Sequence, residues 1–251
     1  MFTDSHAHVY SNYYDDISLV IKEAKENRVN RIITCGCNGS ENKEVLDIIA
    51  KYDELYGALG IHTEAVLDYS FEDILEIEKN IINKKIIAIG EIGLDYHYTK
   101  ELKKEQKNLF EKQLKLAEKY NIPVIIHSRE ATLDTINILK KYNCKGVIHS
   151  YSGSFETAME YIKMGYLIGV NGVITFKNSN VFEVIKKLPL DSLILETDSP
   201  YLTPMPYRGK KNSPKYVLEV AKYVSKLFNV SLEELADITN FNLERVFDKL
   251  S

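Results

Sequence analysis

Four histidines and two carboxylates of this sequence stand where short apolar runs end. His6 and His8 close the opening Met1-Phe2-Thr3-Asp4-Ser5-His6-Ala7-His8, and Glu91 follows Ile86-Ile87-Ala88-Ile89-Gly90. His127 follows Pro123-Val124-Ile125-Ile126, His149 follows Gly146-Val147-Ile148, and Asp198 sits just past Leu193-Ile194-Leu195-Glu196. A fifth histidine, His62, stands just beyond the run 55–60. If these runs are parallel strands of one barrel, the six side chains first named project at a single rim. Four imidazoles and two carboxylates converging there suit a two-metal hydrolase, because nitrogen and oxygen donors in that number can hold two divalent ions and leave room for substrate.

Each motif has a plainer alternative. In His6-x-His8 the two imidazoles share one face of a strand and can reach one ion, although short His pairs also arise by chance. Glu91, in Gly90-Glu91-Ile92-Gly93-Leu94-Asp95-Tyr96, can offer one oxygen to each of two ions; otherwise it caps a helix or pairs on the surface. Asp95 either holds a ligand histidine in orientation or caps a turn. A lone histidine at a strand end is more often a hydrogen-bonded core residue, but His127 and His149 occupy equivalent places on consecutive strands. Arg129 can clamp a phosphate with two parallel hydrogen bonds, or simply pair with Glu130. Asp198 is placed both to bind an ion and to take a proton from water. Beyond it, Pro200, Pro204 and Pro206 stiffen a loop carrying Tyr207-Arg208-Gly209-Lys210-Lys211-Asn212, either a phosphate contact or a solvated basic loop. Cys35-Gly36-Cys37 reads as buried reduced cysteines in preference to a soft-metal site. The glycine patterns of nucleotide-binding loops and the Gly-x-Ser-x-Gly elbow are absent.

The elements that must position these groups alternate along the whole chain. Strands are expected at 2–5, 31–35, 55–60, 86–90, 123–127, 146–149, 166–170 and 193–197, each short and not alternating, as for strands buried on both faces. Helical patterns cover Asp16–Glu26, Glu41–Lys51, Phe71–Asn83, Leu102–Tyr120, Thr132–Tyr142, Phe155–Met164 and Val181–Lys187, then Pro214–Phe228, Ser231–Asn240 and a last short helix over Asn242–Leu250. Ser70 with Asp73, Ser154 with Thr157 and Ser231 with Glu234 mark helix starts. A length of 251 residues matches one (β/α)8 barrel of ~250 residues, so the expectation is a single α/β domain, a TIM-like barrel with extra C-terminal helices. No apolar run is long enough to span a membrane, and no signal peptide is expected. Three cysteines suit a reducing cytoplasm. A net charge of −4 argues against tight, charge-driven binding of long nucleic acid, while bound cations could still supply a local positive field for a phosphodiester.

These motifs, in this order, resemble the TatD family of metal-dependent deoxyribonucleases, within the amidohydrolase-type barrels. The resemblance spans nearly the whole chain, through Asp4-Ser5-His6-Ala7-His8, Gly90-Glu91-Ile92-Gly93-Leu94-Asp95-Tyr96, His127-Ser128-Arg129, His149-Ser150-Tyr151-Ser152-Gly153, Glu196-Thr197-Asp198-Ser199-Pro200-Tyr201-Leu202 and Arg208-Gly209-Lys210-Lys211-Asn212-Ser213-Pro214. It implies one ion held by His6, His8, Glu91 and Asp198 and a second by Glu91, His127 and His149, with Glu91 in the bridging place that a carboxylated lysine fills in related barrels. Three positions depart from the family pattern: Thr63-Glu64 stands where Pro-His is usual, Glu130 where Asp is usual, and Ser150-Tyr151 where Cys-Phe is usual. They leave the ligand set intact and bear on substrate preference.

The reading is therefore a cytoplasmic two-metal phosphodiesterase acting on DNA, from an end or on a single strand. Asp198 and Glu91 are its catalytic residues, and His62, Arg129 and Arg208 its substrate contacts. Imidazole donors favour Zn, Mn, Co or Ni, whereas the resemblance implies Mg-supported cleavage. Two rivals are an ester or amide hydrolase, such as an aminoacyl-tRNA deacylase, and a metal-loaded binding or quality-control protein.

Overall fold

Eight apolar runs become eight strands: β1 Phe2–Ala7, β2 Val29–Cys35, β3 Leu55–Leu59, β4 Ile86–Asp95, β5 Val124–Arg129, β6 Gly146–Ile148, β7 Tyr166–Val170 and β8 Leu193–Leu195. The structure, a computed structural model, describes residues 1–250. All neighbouring strands pair in parallel and in chain order. Helices α1 Ile17–Glu26, α2 Gly39–Ile49, α3 Phe71–Asn80, α4 Lys103–Tyr120, α5 Thr132–Leu139, α6 Phe155–Lys163 and α7 Val181–Ile185 follow the first seven strands. The architecture is the expected (β/α)8 barrel.

The seam between β1 and β8 is closed by few backbone bonds, from His8 N to the Ser199 carbonyl at 2.7 Å and from Asp198 N to the His6 carbonyl at 2.9 Å. Side chains complete it. The Asp4 carboxylate accepts from Thr197 N at 2.8 Å and Thr197 Oγ1 at 2.6 Å, and Ser5 Oγ donates to the Leu195 carbonyl at 2.9 Å. Asp4 is fully buried, and burial pushes its carboxyl well above the ordinary range. All five bonds described for the seam involve a proposed metal ligand or a residue within two positions of one, so barrel closure and site construction use the same stretch of chain.

Two apolar layers hold the strands. The outer one lies between strands and helices. The inner one fills the barrel with Ile33, Ala58, Ile87, Ile125, Val147, Leu167 and Ile194, and Leu243, Val246, Phe247 and Leu250 from the C-terminal tail pack beneath them. Lys249 Nζ fastens that tail by donating to the carbonyls of Ile81, Asn83 and Ile86 at 2.6, 2.9 and 2.7 Å. The extra C-terminal helices, α8 Val217–Phe228 and α9 Leu232–Val246, thus lead to a plug at the end of the barrel opposite the ligand-bearing rim.

Two expectations need correction. The fourth strand does not stop at residue 90: it runs through Asp95, because Gly93, Leu94 and Asp95 go on pairing with His127, Ser128 and Arg129 after a register shift between Ile89 and Ile92. Gly93 makes this possible, since it sits at φ +150° and a Cβ there would lie 1.9 Å from the His127 carbonyl oxygen. Nor is there a separate helix over Asn242–Leu250. Helix α9 continues to Val246, followed by a single 3₁₀ turn at Asp248–Leu250. Asn242 is buried mid-helix because its amide donates to the carbonyls of Leu190 and Leu193 at 3.1 and 2.9 Å, a tertiary role that resembles a cap in sequence. The helix starts follow their signals: Ser70 and Asp73 form a reciprocal capping box, and Ser154 and Ser231 accept from Thr157 N and Glu234 N. Among the described residues no helix is long and apolar enough to cross a membrane.

Candidate metal centre

The six predicted ligands come together. His6 Nε2, His8 Nε2, Glu91 Oε2 and Asp198 Oδ1 form one group: His6 Nε2 lies 3.3 Å from His8 Nε2, 3.3 Å from Glu91 and 3.7 Å from Asp198, and His8 Nε2 lies 3.7 and 3.6 Å from the same two oxygens. Four donors bonded tetrahedrally to one ion at ~2.0–2.2 Å would stand ~3.3–3.6 Å apart, and the spacings of the two imidazole nitrogens to each other and to each carboxylate come close to that range. On the other side of the same carboxylate, Glu91 Oε1 lies 3.0 Å from His127 Nδ1 and 2.8 Å from His149 Nε2, with 3.2 Å between the two nitrogens. Glu91 places one oxygen in each group. Metal-capable groups drawn from this cluster also join His6 to His149 and Asp198, and His62 to Glu91 and His127.

The rear nitrogen of each imidazole decides which front nitrogen is free to bind. A neutral imidazole carries one proton, so a rear nitrogen facing an acceptor holds that proton and leaves the front lone pair bare. His8 Nδ1 faces the Cys35 carbonyl at 3.2 Å and His127 Nε2 faces Asp95 Oδ2 at 3.0 Å; His149 Nδ1 stands 3.7 Å from Glu196 Oε1, beyond hydrogen-bond distance, so there only the charge of the carboxylate favours a rear proton. His6 Nδ1 faces the Cys35 sulfur at 3.3 Å, which can accept or donate. His62 differs. Its Nδ1 accepts from the backbone N–H of Glu64 at 3.4 Å, so the proton sits on Nε2, 3.7 Å from Glu91 Oε1. The side chain that groups by distance with Glu91 and His127 is thus a donor by its tautomer, suited to an anionic substrate oxygen. Burial pushes its pKa down to about 4, keeping it neutral at physiological pH.

Burial drives the Glu91 carboxyl up, but His149, His62 and His6, with the His127 hydrogen bond, outweigh this and hold it well below the ordinary range. Asp198 keeps 14% of its side chain exposed; desolvation raises its carboxyl, and the His8 hydrogen bond, with His149 and His6, outweighs this and lowers it in the same way. Both are carboxylates ready to bind an ion, whose charge would replace the protons that the histidines otherwise carry. Asp95 is the orienting partner of His127. Burial raises its carboxyl, but hydrogen bonds from His127 and from the backbone of Tyr98 and His97 hold it at about 2.

Cys35 and Cys37 are free, and burial raises both thiols well above their usual range, so they are thiols packed beside the ligands. For Arg129 the pairing with Glu130 does not form: Glu130 is bound to His97 Nδ1 at 2.7 Å, and the guanidinium lies over the Tyr98 ring at 4.7 Å. Arg208 stacks on Phe176 at 3.9 Å and is not among the ligand contacts. Among the described residues neither arginine has a carboxylate partner. Sequence reasoning overlooked Glu196, fully buried behind His149. Its carboxylate accepts from Ser150 N at 2.6 Å, and it lies where a Cβ on Gly169 would meet it at 2.5 Å. The signal was available: a glutamate closing an apolar strand needs a buried partner.

A barrel whose strand ends carry such a cluster belongs to the metal-dependent hydrolases in class. The family model for TatD-related DNases matches residues 3–248, and the chain belongs to that family. The metal-dependent hydrolase YabD of Bacillus subtilis, itself uncharacterised, is 41% identical over 252 residues, covering 98% of this chain and 99% of its own. The crystal structure of YjjV, a TatD homologue of Escherichia coli K12, superposes with a TM-score of 0.93 at 31% identity, covering 98% of each chain. A TatD-family hydrolase of Entamoeba histolytica gives 0.86 at 27% identity, covering 98% of this chain and 97% of that one.

Proposed function

We propose that this protein hydrolyses phosphodiester bonds of DNA with two divalent ions, attacking a single strand or an exposed end. The observation that carries the reading is Glu91, one carboxylate with an oxygen in each of two adjoining ligand groups, which is how a two-ion centre is bridged. When bound, the ions supply Lewis acidity and bring the ionisation of water toward neutrality. The four imidazoles suit ions of the Zn, Mn, Co or Ni type.

The chain's own residues do the rest. Asp198, held ionised by its histidine neighbours, takes a proton from the attacking water. The water oxygen bonds to phosphorus, the bond from phosphorus to the leaving sugar oxygen breaks, and the proton passes to that oxygen. Arg129, without a carboxylate partner, offers its guanidinium to a phosphate oxygen, and the Nε2–H of His62 donates to another. Arg208, with Lys210 and Lys211 on its loop, meets the strand farther from the reacting bond. The matching setting is a reducing cytoplasm, in which Cys35, Cys37 and Cys144 stay free thiols.

The test uses the metal-reconstituted protein on 3′- and 5′-labelled single-stranded oligonucleotides, a charged tRNA and simple amides. Shortening of the labelled strand with the amides intact supports the reading. Ester cleavage of charged tRNA with intact DNA would move the assignment to a deacylase. Inactivity on all three would favour a binding or quality-control role.

A further inference from the structure

Two cysteines stand beside the first ligand group, and they meet it differently. Cys35 is fully buried, and among the described residues its sulfur contacts the cluster only at the rear nitrogen of His6, at 3.3 Å. Cys37, partly exposed, reaches a ligand atom itself. Its thiol points at Glu91 Oε2 at 3.8 Å, the oxygen that stands 3.3 Å from His6 Nε2, and its sulfur lies 3.9 Å from His8 Nδ1. The backbone fixes that position. Cys37 N donates to Glu41 Oε2 at 3.0 Å, and the Cys37 carbonyl accepts from His62 N at 2.8 Å. One residue earlier, the Gly36 carbonyl accepts from Glu91 N at 3.1 Å, so main chain ties the thiol to the bridging carboxylate. Only glycine fits at that step, because a Cβ would lie 2.1 Å from Asn42 Oδ1.

A cysteine that merely fills space sets its sulfur against apolar side chains; this one meets a carboxylate and an imidazole. The spacing suits shared coordination. A thiolate sulfur at ~2.3 Å and a carboxylate oxygen at ~2.0–2.2 Å on one tetrahedral ion stand ~3.5–3.7 Å apart, close to the 3.8 Å between Cys37 Sγ and Glu91 Oε2. Resting on the metal-binding part of the proposed function, and not on which bond is cleaved, we infer that Cys37 sets the ion preference of the first ligand group. A thiophilic ion such as Cd2+ or Zn2+ takes its sulfur as an added donor beside Glu91, and the S–H proton leaves to solvent as the sulfur–metal bond forms. Mn2+ and Mg2+, which favour oxygen donors, leave the thiol protonated. The sulfur therefore adds a preference among ions beyond that of the histidines and carboxylates.

The experiment adds Cd2+, Co2+ and Mn2+ separately to the metal-free protein. It reads ultraviolet thiolate-to-metal charge-transfer absorption, together with affinity by competition against a chelating dye. The wild type should show the band with Cd2+ and Co2+ and none with Mn2+. Cys37→Ser should lose the band and bind Cd2+ more weakly by at least the ~10–100-fold that loss of even an outer partner of a ligand costs, with its Mn2+ affinity unchanged. Cys35→Ser should keep the band. A second measurement needs no variant: in the wild type, bound Cd2+ should protect Cys37 from alkylation by iodoacetamide, mapped by mass spectrometry, and Mn2+ should not. Cd2+ binding without the band, a band that survives Cys37→Ser, equal loss of Cd2+ and Mn2+ affinity in that variant, or equal protection by the two ions would overturn the inference and leave the two-ion site standing. A wild type that binds none of the three ions would overturn that site as well.

Discussion

Asp95→Asn is the substitution that most directly tests how the centre is built. Asp95 is 2% exposed. Its Oδ1 accepts from the backbone N–H of His97 at 2.8 Å and Tyr98 at 3.0 Å, and its Oδ2 faces His127 Nε2 at 3.0 Å. Asparagine can keep the first two bonds with its amide oxygen, so the end of β4 should stay folded. The third bond cannot survive, because the amide NH2 would then face the protonated Nε2 of His127, donor against donor. The imidazole must tilt or move its proton to Nδ1, the atom aimed at Glu91, and either change lowers its basicity toward an ion. Loss of such an orienting partner typically costs ~10–100-fold in metal affinity, about 1.4–2.8 kcal/mol at the usual ~1.4 kcal/mol per factor of ten. Competition of the variant against a chelating dye, read as stoichiometry and affinity, should show one ion weakened by that factor and the other near its wild-type value. Unchanged affinity for both would refute the tautomer argument for the whole cluster, and a variant that fails to fold would refute the claim that an amide oxygen can take over the two bonds accepted by Oδ1.

Other outcomes follow from the same geometry. Asp198→Asn should lower turnover by about 10²-fold or more, the scale of a lost general base, with the barrel intact by circular dichroism; near-wild-type turnover would remove Asp198 from proton transfer. His62→Ala should raise KM on DNA and leave metal content unchanged by elemental analysis, since its Nε2 is a donor; loss of an ion would make it a ligand. Removal of metal by chelation should lower Tm and its return restore it, because an ion at 100 times its Kd adds about 2.7 kcal/mol, and a Tm indifferent to metal would deny a folded-state site. Phe247→Ala, in the plug beneath the barrel at 1% exposure, should cost ~3–5 kcal/mol in urea melts with the ion affinities retained.

Much of this architecture was legible in the order of residues. Strands buried on both faces have no polar face to alternate with, so eight short apolar runs stood out, and the side chains that end them had to share a rim once the strands were parallel. That is why the ligand cluster could be drawn from the sequence: strand ends of a barrel are related by topology alone, without any knowledge of packing. The limits of β4 and α9 were not legible, because pairing of Gly93–Asp95 with β5 and the burial of Asn242 against Leu190 and Leu193 are long-range contacts that leave no local signature.

The finer chemistry belonged to tertiary structure for the same reason. Arg129 next to Glu130 invites a local ion pair, yet His97, from the turn after β4, takes Glu130 and leaves the arginine to Tyr98. Whether His62 binds metal or substrate depends on a proton set by the backbone N–H two residues on. The partners of His127 and His149, Asp95 and Glu196, come from other strand ends. Residue type and spacing determined which donors meet. Which nitrogen of each points inward, and which cations stay unpaired, depended on hydrogen bonds between segments distant in the chain, and these exist only once the barrel has closed.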